Sequence, residues 1–193
     1  MGHHTFDPEM AGRLEDSARR YRYLSVEELV GAFRPSDGDT VVELGSGTGF
    51  YTDDIAPFVE EVYAVDVQDE MHDIYRNKDG GVPENVELVT AEVADMPFGK
   101  DALDAAYTTM TYHEFASEEA LAEVRRVLKG GARFVVADWT SKGTGKVGPP
   151  TDERYSKGEA VGALEDAGFG VRRADERTET FVLCAGEGGD QDG

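Results

Sequence analysis

Val41-Val42-Glu43-Leu44-Gly45-Ser46-Gly47-Thr48-Gly49 is the stretch on which the reading of this chain turns. Thr40 to Leu44 is a short apolar run between the turn residues Pro35-Ser36-Asp37-Gly38-Asp39 and the first glycine, the pattern of a buried parallel strand. Three glycines at alternate positions then lead into a helix expected from about Phe50 to Phe58. With no side chains in the way, the loop backbone can approach a ligand closely, and the helix behind it presents free N–H groups. Taken alone, the loop is either such a cradle or a tight strand-to-helix turn.

Working outward, the same alternation continues. Upstream, Asp7-Pro8-Glu9 opens a helix expected to run through about Arg20, and the capping box Ser25-Val26-Glu27-Glu28 starts another ending near Phe33. Downstream, strands are expected at Val62–Asp66, Val86–Thr90, Leu103–Met110 and Arg133–Asp138. Helices fall at Gln68–Arg76 and Ser117–Leu128, the latter terminated by Gly130-Gly131. A last helix from Ser156 to Gly168 precedes strands at Gly170–Arg173 and Thr178–Cys184. Thr140 to Tyr155 is a Gly/Pro-rich loop, long enough to expect function in it. The expected organisation is an N-terminal helical lid (1–35), one α/β domain (36–184) and a flexible tail (185–193). Alternating strands and helices imply a doubly wound parallel sheet with helices on both faces, whose ligands bind beyond the carboxyl ends of the strands.

Composition narrows the partners. Forty acidic against nineteen basic residues give a net charge of −21, a surface that repels phosphate backbones, so DNA and RNA are not expected. The acids recur within the elements instead of forming one tail, a pattern like that of proteins from salt-loving archaea, where salt screens the self-repulsion. No run approaches the roughly 20 apolar residues of a membrane span. Met1 to Tyr23 carries no apolar core of a secretory signal, and Cys184 is the single cysteine. A cytoplasmic protein with no disulfide and no metal site is therefore expected, its oligomeric state left open.

Further residues bear on which ligand the loop takes. A dinucleotide fingerprint wants Gly-x-Gly-x-x-Gly, yet position 50 is Phe50. Glu43 puts a carboxylate beside the loop, unfavourable for a pyrophosphate and acceptable to a cationic amino-acid ligand. Asp66 ends the second strand 17 residues past Gly49, placed to accept from ribose hydroxyls. Glu92 lies just beyond the third strand, where a carboxylate can accept from an adenine amino group.

With these residues assembled, the chain resembles the class I S-adenosylmethionine-dependent methyltransferases, in particular the small single-domain group of ubiquinone and menaquinone biosynthesis. Val41 to Gly49 matches the family's first motif, and Ala64-Val65-Asp66 with Met71 its second. Thr90 to Phe98, Leu103-Asp104-Ala105-Ala106 on to Tyr112-His113-Glu114-Phe115, and Glu123 to Gly131 resemble later ones, Gly130 standing where proline is usual. The resemblance implies a Rossmann-like seven-stranded sheet, mostly parallel with an antiparallel last strand. It implies that Gly45, Gly47 and Gly49 form the cofactor loop, with Gly45 and Gly47 near the methionine part and Glu43 near its amino group. Asp66 would bind the ribose, Val67 and Val93 flank the adenine, and Glu92 accept from it, although the family more often has Asp there.

Methyl transfer is an in-line displacement at a sulfonium carbon, so a protein chiefly supplies proximity, alignment and dryness. A base is needed only where the nucleophile carries a proton. His113 is the candidate, with Glu114 to orient it; a structural histidine or a cofactor contact is the plainer role. Tyr112 is expected to pack against substrate or cofactor, and Arg20, Tyr21 and Tyr23 to close a lid. The Thr140–Tyr155 loop is expected to border the same pocket, and Trp139 to line it or to sit in the core. The acceptor is expected to be a small molecule. A non-catalytic cofactor-binding module and an NAD-dependent oxidoreductase are the alternatives.

Overall fold

The computed structural model describes residues 12–187. In β1 (Thr40–Leu44) every residue from Val41 to Leu44 is buried, Glu43 included. Only a strand covered on both faces buries consecutive side chains, because neighbours point to opposite sides. It pairs in parallel with β2 (Glu61–Asp66) on one side and β4 (Leu103–Thr109) on the other. With β3 (Val86–Thr90), β5 (Leu128–Trp139), β6 (Phe169–Glu176) and β7 (Thr180–Glu187) they form one seven-stranded sheet, ordered β3-β2-β1-β4-β5-β7-β6. β7 alone runs against the direction of the other six, as the resemblance implied.

Each face carries its own core. On one, Val42 and Leu44 join Phe134, Val136, Leu121, Val124 and Leu164 beneath α6 (Glu118–Val127) and α7 (Lys157–Asp166). On the other, Val41, Tyr107 and Val135 pack against Leu29, Phe33, Tyr51 and Ile55 of α2 (Val26–Phe33) and α3 (Phe50–Ile55). Serine starts three of these helices: Ser25, Ser117 and Ser156 each accept from the N–H three residues on, at 3.1–3.3 Å. Each such cap is worth about 1 kcal/mol. No helix among the described residues is long and apolar enough to cross a membrane.

Several expected boundaries move. Residues before Gly12 lie outside the described ones, but the helix that reaches Arg20 starts only at Ser17, because Asp16 accepts from Arg19 N (3.1 Å) and caps a separate turn, α1 (Ser17–Arg20). α3 stops at Ile55 and tightens into a 3-10 turn at Ala56–Phe58, where Pro57 has no N–H to continue the ladder. Gly130 and Gly131 do not end α6; Leu128 already pairs with Leu103, so both glycines lie in β5. β7 continues past Cys184, with Ala185 opposite Phe134 and Gly186 opposite Arg133, so three residues of the expected tail belong to the sheet. The rest of that tail lies outside the described residues. Between α4 (Asp69–Asn77) and α6 stands one helix the sequence did not announce, the four-residue α5 (Tyr112–Phe115).

Candidate functional site

At the carboxyl ends of β1, β2 and β4 the chain encloses a cavity of about 370 Å³. The glycine loop forms its floor. Gly45 N and Ser46 N both donate to Val65 O, at 2.8 and 2.9 Å, which ties the loop to β2. Gly45 has φ 72°, and a Cβ there would stand 2.3 Å from Thr111 Cγ2, so only glycine lets the two segments meet. Gly47 lines the cavity and donates its N–H to Asp66 Oδ2 at 2.7 Å. Gly49 does not line it. Its missing side chain admits the Tyr75 ring, 2.0 Å from where a Cβ would sit, so that glycine serves packing rather than ligand approach.

The acids divide three ways. Asp66 borders the cavity, and its other oxygen accepts from Gln68 N at 2.9 Å; two backbone amides thus hold the carboxylate in place with lone pairs left over. Glu92 stands exposed on the rim. Val67, 49 % exposed, and buried Val93 give that end apolar walls. Glu43 does not line the cavity. It lies beneath it, 1 % exposed, accepting from Tyr107 Oη (3.1 Å), Thr109 Oγ1 (3.3 Å) and Thr52 Oγ1. Burial pushes its carboxyl up to about 7 against the pull of these hydroxyls. Thr109 lines the cavity and links the two levels.

His113 also falls outside the cavity wall, whereas Glu114 is in it. The imidazole Nδ1 lies 3.0 and 3.1 Å from the two oxygens of Asp138, which also accepts from His113 N at 2.7 Å. Nε2 faces Glu114 Oε1 at 3.8 Å. Burial opposes the charged ring, but Asp138 outweighs it and raises the imidazole above its usual value. Sequence reading missed Asp138, the buried last-but-one residue of β5. Its signal was there: an acid at the end of an apolar strand, like Asp66.

Other expectations shift. Leu14 and Arg20 line the cavity, and Arg20 is the one cationic residue among the described lining residues. Its Nε is buried without a hydrogen-bond partner, as is Ser46 Oγ. Tyr21 instead donates to Asp54 (3.0 Å), while Tyr23 packs on Trp139 with centroids 4.9 Å apart. Trp139 is buried between Tyr23 and Arg154, outside the cavity, and Tyr112 is wholly buried against Phe115 and Tyr155. No residue of the Thr140–Tyr155 loop lines the cavity, because Arg154 folds that loop onto Pro149 O and Thr140 O instead.

Residues 42–136 match the methyltransferase domain family. The chain is 32 % identical to a SAM dependent methyltransferase from Aquifex aeolicus, covering 94 % of this chain and 98 % of that one, with a TM-score of 0.84. It belongs to the S-adenosylmethionine-dependent methyltransferases. A demethylmenaquinone methyltransferase of Clavibacter sepedonicus is 30 % identical over 111 residues, 57 % of this chain and 45 % of that protein. An uncharacterized methyltransferase-like protein of Schizosaccharomyces pombe is 38 % identical over 95 residues, 49 % and 36 % of the two chains. The chain thus spans less than half the length of these two relatives. A Haloferax volcanii chain solved with the Trm112 methyltransferase activator shares the fold at a TM-score of 0.77, with 18 % identity over 94 % of this chain and 98 % of that one. The family sets aside the oxidoreductase alternative. Its cofactor fits the cavity chemically: a cationic, amino-acid-bearing nucleoside would find there the carboxylates of Asp66, Glu92 and Glu114, a single guanidinium, and the orphaned Ser46 hydroxyl.

Proposed function

We propose that this chain transfers the methyl group of S-adenosylmethionine to a small organic acceptor in the 370 Å³ cavity. The observation that carries the reading is the convergence of Gly45, Gly47, Asp66, Val67, Glu92 and Val93, from three successive strand ends, on one cavity. When bound, the cofactor supplies an activated methyl group on a leaving thioether. The chain's own residues orient and dry the reaction. Asp66 accepts from the ribose, Val67 and Val93 cover the two faces of the adenine, and Glu92 accepts from its amino group. Arg20 pairs with the amino acid's carboxylate. Glu43 acts from below, holding Thr109 through its hydroxyl.

For an acceptor that loses a proton, Glu114 takes it, since Glu114 and not His113 faces the cavity. His113 stands behind as a positioning residue, held by Asp138. Leu14 and Arg20 make the N-terminal segment the lid over this chamber. Its volume of about 370 Å³ lies within the about 300–1,000 Å³ common for small-molecule sites. The charge of −21 and the single cysteine support a salt-rich cytoplasm as its setting.

Calorimetric titration with S-adenosylhomocysteine in high salt tests the reading: saturable binding at one site is expected, and no heat in any salt overturns it. Acceptor-dependent release of S-adenosylhomocysteine then separates transfer from binding alone.

A further inference from the structure

A second cavity, of about 540 Å³, opens beyond Trp139 at the carboxyl end of β5 and shares no lining residue with the first. Three segments meet there: the turn between α1 and α2, the loop after β5, and the turn joining β6 to β7. Each contributes a cation, respectively Arg22, Lys146 and Arg177. That is unexpected in a chain with nineteen basic residues against forty acidic ones. Elsewhere basic side chains are mostly consumed by neighbouring carboxylates, as in Lys78–Asp53 (2.7 Å) and Lys129–Asp104 (2.7 Å). Among the described residues, neither Arg22 nor Lys146 has such a partner. Arg177 pairs with Glu28 through Nη2 (3.0 Å), while its Nη1 is buried with no hydrogen-bond partner.

One carboxylate, that of Glu179, lies in the same wall and is held by Thr144. Its Oε1 accepts from Thr144 Oγ1 (2.7 Å) and its Oε2 from Thr144 N (3.0 Å). Against this one carboxylate stand three cations and a hydroxyl: a guanidinium edge, a second guanidinium, an ammonium and Thr178. Planar and point cations combined in this way suit a compact oxyanion, which accepts several charge-assisted hydrogen bonds at once. The surrounding negative surface repels anions at long range, so binding here rests on these local donors.

We propose that this cavity is a binding site for the phosphate or carboxylate group of a small molecule, separate from the cofactor cavity. Its occupant touches Tyr23, whose ring packs on Trp139, the residue next to Asp138. Trp139, the only tryptophan, is therefore a built-in reporter.

Equilibrium dialysis with labelled inorganic phosphate at constant ionic strength tests the site, with succinate as competitor and Trp139 emission followed in parallel. Saturable uptake of one equivalent is expected, weakened about tenfold or more by Lys146→Gln and by Arg22→Gln, the scale of one charge-assisted hydrogen bond. Affinity for S-adenosylhomocysteine should be unchanged in both variants, which keeps this proposal separate from the reading of the first cavity. Succinate displacing phosphate shows that carboxylates use the same donors; succinate without effect confines the site to phosphate. No saturable uptake of either anion, or uptake indifferent to both substitutions, overturns the proposal.

Discussion

Asp138 reaches His113 twice, accepting from its backbone N–H at 2.7 Å and standing 3.0 Å from its Nδ1 with the same oxygen. The first contact anchors the first turn of α5; the second fixes the ring and favours its charged form. Because the folded imidazole titrates above its ordinary value, the pair contributes stability in full below about pH 6.5 and loses it as pH rises through the raised value. Asp138→Asn should therefore lower the melting temperature most in acid, and the gap from the parent should narrow toward alkaline pH. A gap constant with pH would show that the contact is not ionic.

Glu43 gives a second pH signature. Its carboxyl is raised from 4.5 to about 7, so folding favours the protonated form and stability falls as pH climbs between those values. Glu43→Gln removes the ionisation while keeping a group that the hydroxyls of Thr52, Tyr107 and Thr109 can bond. The variant's denaturation midpoint should vary less with pH over that window than the parent's. An equal slope in both would place the titration elsewhere.

Two glycines of one loop should respond differently to alanine. Gly47→Ala meets only Leu14 Cδ1 at 3.6 Å and carries the cost of its φ of 55°, about 1–2 kcal/mol. Gly49→Ala adds the Tyr75 ring at 2.0 Å to a φ of 77°, and overpacking costs a further 1–3 kcal/mol or so. Urea denaturation of the two variants should rank Gly49→Ala as clearly the less stable.

Asp66 holds the loop as well as facing the cavity, so its removal acts by two routes. Asp66→Ala should weaken S-adenosylhomocysteine binding by about 1.5–3 kcal/mol, the range for hydrogen bonds to a charged group. A ribose-deoxygenated analogue isolates the direct part. If Asp66 accepts from the ribose, the substitution costs less with the analogue than with the full ligand; equal costs would assign the whole effect to the loop.

The net charge of −21 predicts a melting temperature that climbs with salt, most steeply below about 0.1 M, where the Debye length exceeds about 10 Å. A midpoint indifferent to potassium chloride would remove the case for a salt-adapted surface.

The sheet was legible because its strands are apolar runs bounded by turn residues, and β1 and β3 have the bounds read from sequence. The placement of Gly45, Gly47, Asp66, Val67, Glu92 and Val93 around the cavity was legible for a related reason: strand ends point to one rim. What escaped was set by distant partners. That Gly49 yields to Tyr75, 26 positions on, and that Glu43 sinks under three hydroxyls from α3 and β4, depends on side chains brought in by packing. Four residues make α5, too short for any period to show, and it carries both His113 and Glu114. The loop from Thr140 was assigned to the wrong chamber because Arg154, its organiser, looks in sequence like one more surface charge.

β7 is made last of the seven strands and yet lies between β5 and β6. During synthesis, then, β6 has no neighbour to join until the segment after it has left the ribosome, and β5 waits with one margin open. The interior place of β7 ties completion of the sheet to the synthesis of β7: a chain stalled at Arg177 leaves bare the two strand margins that β7 covers, each a template for pairing with another copy. Emergence of β7 and burial of these adhesive edges are, in this topology, one event.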